Sequence, residues 1–367
     1  MARPDLTVRG AGIFGLSIAW EAARRGARVR VIETGRIGAG SSGGLVGALA
    51  PHVPEQWNDK KAFQLDSLLM AEAWWAAVDA ESGGASGYAR TGRLQPLADE
   101  RAVAAARARA TGAETLWQGR ALWQVIRATG GWQPDSPTGW LVHDTLTARL
   151  NPRFALASLG TAIRARGGRI GPDEGDAGGP VIWATGTAGL KALSADLGRP
   201  MGGGVKGQAA LLAHDASTLP QLFIDGLHIV PHGDGTVAIG STSERTWSDP
   251  TATDEQLEAL IGRVRVACPA LAGAAVLDRW AGLRPRAASR APMLGAWPGR
   301  EGQFIANGGF KTGFGMAPKV AQAMADLVLD GTDRVPAAFR VEASLQDVRK
   351  KCQPELLPDL WTDVRVI

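Results

Sequence analysis

Three glycines and one acid offer the first chemistry in this chain. Gly10, Gly12 and Gly15 form a G-x-G-x-x-G pattern, and Glu33 closes the apolar run that follows. Gly10 permits a tight turn, Gly12 lets backbone approach a pyrophosphate, and Gly15 lets a helix settle against a strand. The N–H groups opening that helix then meet the phosphates with the positive end of the helix dipole. A carboxylate at the end of the second strand accepts hydrogen bonds from a ribose 2′-OH, which favours FAD or NAD over NADP. The two cysteines have no metal-ligand spacing, and no acid/base dyad stands out.

The elements that must hold this motif are a strand at Leu6–Arg9, a helix from the glycines to Gly26, and a returning strand at 29–32. Residues 34–52 are too glycine-rich for a regular element yet apolar enough to be buried. Buried irregular backbone needs partners, and a flat polar ligand such as an isoalloxazine ring supplies them. Helical spacing is expected over 61–80 and 99–111, with a further helix opening at Asn151-Pro152. The apolar strand 181–183 ends in Ala184-Thr185-Gly186, a small-residue turn suited to a second close approach to a dinucleotide. The tryptophans between Trp117 and Trp140 read as packing. From Val205 the pattern alternates, with a hairpin around Gly233-Asp234-Gly235, which predicts an antiparallel sheet. A strand at 304–306, the turn Asn307–Met316 and a helix from about 317 to 329 close the pattern.

The expected fold is α/β: a Rossmann-type dinucleotide-binding domain of residues 1–83, 141–200 and 287–345, with a second, antiparallel-sheet substrate domain of residues 84–140 and 201–286. Residues 346–367 form a C-terminal tail. At 367 residues, 45% hydrophobic and formally +4, the chain has core enough for both, and no basic run suggests nucleic acid. Cys268 and Cys352 give no disulfide framework, the N-terminus lacks a signal-peptide pattern, and no apolar run approaches a membrane span. These features predict a cytoplasmic location.

Taken in order, the segments Gly10–Gly15 with Glu33, Gly40-Ser41-Ser42, Gly47-Ala48-Leu49, Ala184-Thr185-Gly186, Val205–Gln208, Ile239–Thr242, Gly282-Leu283-Arg284-Pro285 and Gly309–Gly315 resemble the FAD-dependent amine and amino-acid oxidoreductases, the group that includes D-amino-acid oxidase, glycine oxidase and sarcosine oxidase. The resemblance spans nearly the whole chain. It implies FAD as cofactor, with Gly10, Gly12, Gly15 and Glu33 holding its ADP half, Ser41 and Ser42 adding hydroxyls near the phosphates, and Ile13, Phe14, Thr34, Arg36 and Gly40 also at the cofactor. Gly47, Ala48 and Leu49 would edge the flavin, and Ala184, Thr185 and Gly186 would flank the cofactor at the sheet. Thr312, Gly313, Phe314 and Gly315 would bring backbone donors and a helix dipole to the flavin C2=O, with Gly309, Phe310 and Lys311 also at the cofactor. Arg284 would fork onto a substrate carboxylate and touch the cofactor. Lys311, His232 and His52 complete the candidate catalytic set; the plainer alternatives are a surface arginine, a solvated loop lysine and structural histidines.

The implied reaction is oxidation of a C–N bond in an amino acid or secondary amine. Hydride leaves the α-carbon for flavin N5, and the imine is hydrolysed. Dioxygen or another acceptor takes the electrons. Two departures stand against the family pattern. Tyr88 is the one tyrosine, so His228 and His232 stand where members place substrate-binding tyrosines, and the segment 169–180 is shorter than the hairpin used against adenine. Alternatives left open are the FAD domain of the bifunctional tRNA wobble-uridine methylaminomethyl enzyme, a non-catalytic FAD-binding subunit, and an NAD dehydrogenase.

Overall fold

The computed structural model describes residues 3–172 and 178–345; the tail from 346, Cys352 and part of the short 169–180 segment lie outside them. Within the described residues, a six-stranded sheet has the order Met293–Ala296, Gln303–Asn307, Val181–Trp183, Leu6–Arg9, Val29–Ile32, Arg169–Gly171. All its pairings are parallel except at the Met293–Ala296 edge. The central strand Leu6–Arg9 runs Val29–Ile32 along one side and Val181–Trp183 along the other, which makes its carboxyl end a topological switch point where ligands bind.

The helices Ile13–Arg24, Asp59–Ser82, Pro152–Ala165 and Gly313–Leu329 pack together and contribute to the main core, which is continuous with this sheet. The first helix is buried almost all round, from Ile13 to Ala23. Even its Glu21 is sealed in, and Arg24 and Arg25 satisfy that carboxylate. Arg25 also reaches Asp326 at 2.8 Å and so ties the first helix to the last. Asn58 and Asn151 cap their helices through side-chain oxygens, as short polar residues before helical runs do. The last helix begins at Gly313, four residues before the expected start; Pro318 lies inside it rather than in its opening turn. The helix tolerates the missing N–H there, so proline misplaced the boundary.

The second sheet has eight strands in the order Val276–Ala287, Gly202–Ala213, Thr236–Gly240, Leu227–Pro231, Gln221–Ile224, Arg93–Pro96, Trp140–Asp144, Trp123–Arg127. It departs from the wholly antiparallel expectation at one junction, because Gln221–Ile224 pairs with Arg93–Pro96 in parallel. Those strands come from chain segments far apart, so no hairpin imposes the antiparallel sense on them. Trp117 and Trp123 are buried edge-to-face at 6.1 Å, and Trp132 stacks on His214, so the tryptophan tract packs the structure.

Candidate active site

A cleft of about 1150 Å³ runs between the carboxyl ends of the parallel strands and one face of the eight-stranded sheet. Its floor is the Gly10–Gly15 turn. Gly10 adopts φ +102°, and a Cβ there would stand 2.6 Å from the Ala184 carbonyl oxygen. A Cβ on Gly15 would stand 1.9 Å from the Gly10 carbonyl oxygen, so only glycine lets the helix approach the strand this closely. No side chain caps the helix at Gly12. Ser42 Oγ accepts from the Ile13 N–H at 3.0 Å, which leaves its own proton free to donate outward. Glu33 closes the turn from the other side: its Oε2 accepts from Ala11 N and its Oε1 from Gly35 N, both at 2.9 Å.

These features fit an adenine dinucleotide. They comprise a helix N-terminus whose cap residue, Gly12, offers no side chain of its own, a cradle that any Cβ would fill, a serine hydroxyl turned toward it, and a carboxylate held at the second strand. Gly12, Ile13, Phe14, Glu33, Thr34, Gly40, Ser41, Ser42, Ala48, Ala184, Thr185 and Gly186 all line the cleft, as do Gly309 through Gly315 from the other end of the chain. A Cβ on Gly309 would collide with the Phe14 ring, so the two ends meet closely there.

Five expected residues do not line it. Gly15 lies behind the turn, pressed against the Gly10 carbonyl, and acts through packing. Arg36 is exposed beyond the rim, outside the turn that Glu33 braces. Gly47 is glycine because its Cβ would stand 1.9 Å from the Leu150 carbonyl oxygen, a packing constraint on the loop. Leu49 is wholly buried in the core. His232 is also buried off the cleft, near Thr236 and Arg149. His228 takes its place. Alternation puts 228, 230 and 232 on one face of the strand, but only the Leu227 end of that face reaches the cleft.

The far wall is built from side chains. Arg284, on strand Val276–Ala287, is 8% exposed; it donates through Nη2 to the Thr242 carbonyl and, at 3.3 Å, to that of Lys206, and through Nη1 to Ser241 Oγ. Its Nε has no hydrogen-bond partner among the described residues. Burial lowers its guanidinium to about 10. Behind it, buried Lys206 meets Asp254 at 3.1 Å and Glu244 at 3.5 Å, and Gln208 donates to both acids. This network fixes the 241–254 loop that receives the arginine.

Lys311 is exposed to the open cleft, yet desolvation by its walls, then the charges of Arg284 and Arg286, lower its ammonium to about 8. Arg284, Arg286 and Lys311 all stand within 6 Å of the Phe310 ring centre, at 5.6, 5.7 and 5.8 Å. His228 packs against Phe223 at 4.6 Å, and burial, then Arg93, Lys311 and Arg284, hold its imidazole down to about 3. His52 lines the cleft and is bonded through its ring and its backbone to Gln64; burial, then Lys60, hold it down to about 4. Both histidines are therefore neutral at physiological pH.

Sequence reasoning missed Arg93, Arg245 and Arg286. Arg93 forms a buried ion pair with Asp144 at 2.9 Å, made possible by pairing of strands 93–96 and 140–144. Arg286 carried a usable signal, since two positions beyond Arg284 on a strand is the same face. Of the charged residues lining the cleft, Arg9, Lys60, Arg93, Arg245, Arg284, Arg286, Arg290 and Lys311 are cationic, and Glu33 alone among the described residues is acidic.

A family model described as FAD dependent oxidoreductase matches residues 5–327. The chain is 35% identical to a glycine oxidase of Pseudomonas putida over 144 residues, 38% of this chain and 39% of that one. With a glycine oxidase of Pseudomonas aeruginosa it shares 29% identity over 361 residues, covering 88% of this chain and 94% of the relative. The crystal structure of glycine oxidase from Geobacillus kaustophilus superposes with a TM-score of 0.77 at 21% identity, covering 93% of this chain and 99% of that one.

Proposed function

Because the chain belongs to the FAD dependent oxidoreductase family, we propose that it oxidises the C–N bond of an amino acid or N-alkyl amino acid whose carboxylate rests on Arg284. The observation that carries this is the buried guanidinium of Arg284 on the side-chain wall, opposite the glycine turns, with one donor unpartnered. A carboxylate is the natural acceptor for a guanidinium fork in a desolvated site. The glycine oxidase relatives, named for an amino acid substrate, support the same choice.

Bound FAD supplies the two-electron acceptor for this chemistry. The Gly10–Gly15 turn, Ser42 and Glu33 would hold its dinucleotide half, and the N-terminus of the Gly313–Leu329 helix would face its flavin C2=O. The remaining work falls to positioning. Arg284 fixes the carboxylate, while Phe223, Phe310 and Trp280 give the reacting carbon apolar walls and exclude water. The surrounding cations oppose a further positive charge on the substrate nitrogen, so the bound amine is favoured in its neutral form. Its lone pair then forms the C=N bond as the carbon gives up hydride, and water opens the resulting imine. His228 and His52, held neutral and low, serve as no proton source for that nitrogen at neutral pH. Dioxygen or another acceptor reoxidises the cofactor.

The test is anaerobic mixing of the yellow holoenzyme with D- and L-amino acids and N-alkyl glycines. Bleaching of the flavin absorption by a carboxylate-bearing amine is expected. A flavin that stays oxidised across the panel rejects the proposal.

A further inference from the structure

We infer that the substrate carries a second anionic group, a carboxylate or phosphonate, held by Arg286 with Arg245 while Arg284 holds the first; the inference rests on the oxidation proposed above. The geometry is that of two arginines on one strand. Arg284 and Arg286 are two positions apart on Val276–Ala287, so they project from the same face about 7 Å apart along the strand. Both guanidinium groups flank the Phe310 ring, and both residues line the cleft. An amine flanked by two carboxymethyl groups carries one acidic end for each of these arginines.

A single carboxylate leaves too much charge unanswered. Among the described residues no carboxylate forms an ion pair with Arg284, Arg286, Arg245 or Lys311. Arg286 is half-buried and faces further arginines, Arg290 and Arg245, whose charges add to desolvation in lowering it. Like charges gathered around one apolar ring repel, and cation–π attraction offsets this only in part. The cofactor's own phosphates would be served elsewhere, by the Gly10–Gly15 turn and Ser42. The glutamate nearest Arg284 is already engaged: Glu244 faces Lys206 and takes hydrogen bonds from Gln208 and Thr242. What would balance Arg286 and Arg245 is an anion arriving with the substrate.

Sarcosine and iminodiacetate make the decisive pair, since they differ by one carboxylate in place of a hydrogen. With the holoenzyme, kcat/KM is expected to be at least tenfold higher for iminodiacetate, and N-(phosphonomethyl)glycine in a parallel arm separates a carboxylate from a phosphonate preference. Arg286→Gln should lower the diacid-to-monoacid ratio at least tenfold, and Arg286→Lys should restore most of it. Sarcosine equal to or better than iminodiacetate, or a ratio unmoved in Arg286→Gln, overturns the inference. A second readout needs no turnover: binding of acetate, malonate, succinate and glutarate, followed by perturbation of the oxidised flavin spectrum. At least one dicarboxylate should bind tenfold more tightly than acetate, and equal affinities overturn the two-anion site. If no amine bleaches the flavin while dicarboxylates still bind preferentially, the oxidation proposal fails and the anion site stands.

Discussion

At the Gly10–Gly15 turn the cleft is bounded by backbone: a helix end, two carbonyls and glycines whose missing Cβ atoms define the space. Across from it, at Arg284, Arg286, Phe310, His228 and Arg93, the boundary is made of long side chains from four separate stretches of sequence. The first wall leaves no room for a Cβ and carries one acid; the second is cationic and is set by the identity of its side chains. A dinucleotide and a substrate make different demands: the first needs backbone brought close, which only glycine allows here, and the second needs charged and aromatic side chains placed around it.

Four measurements break or sharpen that contrast. The largest effect is expected behind the side-chain wall. Asp144→Ala strips the partner from Arg93 where their side chains are 0% and 6% exposed, and the stranded charge should cost about 3–5 kcal/mol in urea unfolding. A loss under about 1 kcal/mol would mean that this wall is not held by its ion pair. Next, Arg284→Ala should lower kcat/KM for carboxylate substrates by about 1.5–3 kcal/mol, the worth of a hydrogen bond to a charge, with flavin content unchanged. Unaltered turnover removes Arg284 from the site. On the backbone wall, Gly15→Ala forces a Cβ into the Gly10 carbonyl. It should cost about 1–3 kcal/mol of stability and bleach the preparation, read by thermal melting and by the ratio of flavin to protein absorbance. A stable yellow variant would show that the turn can widen. The smallest effect concerns Lys311. Its ammonium, lowered to about 8, is charged below that pH and neutral above it. Substrate KM should therefore rise as pH passes about 8, by roughly fivefold at most, the scale of an exposed charge pair. Lys311→Met should flatten that rise. Arg284, lowered only to about 10, stays charged throughout.

The same contrast governs what could be read from sequence. Gly10, Gly12, Gly15 and Glu33 were legible because a local backbone demand leaves a local trace, a fixed spacing between a strand and a helix. The α/β fold and the Gly309–Gly315 turn followed from the same kind of signal. Arg93 was not legible: it reaches the cleft only because its strand pairs in parallel with Gln221–Ile224, which nothing within residues 91–97 encodes. His232 was preferred where His228 lines the cleft, since strand periodicity fixes a face but not how far along that face the cleft extends. Gly47 and Leu49 misled because the loop that carries them answers to Leu150 and the core as well as to a ligand.

The parallel junction between Arg93–Pro96 and Gln221–Ile224 also sets an order of assembly. The far sheet stays incomplete on a ribosome until more than half the chain has emerged, and the floor of the cleft waits longer, for Gly309 to close on Phe14. Contacts so distant in sequence slow folding, and a ligand that binds only the finished form then stabilises it by mass action. Growth without riboflavin should accordingly deplete the protein itself, and a chain stopped before the final helix should be degraded rather than accumulate as a colourless half.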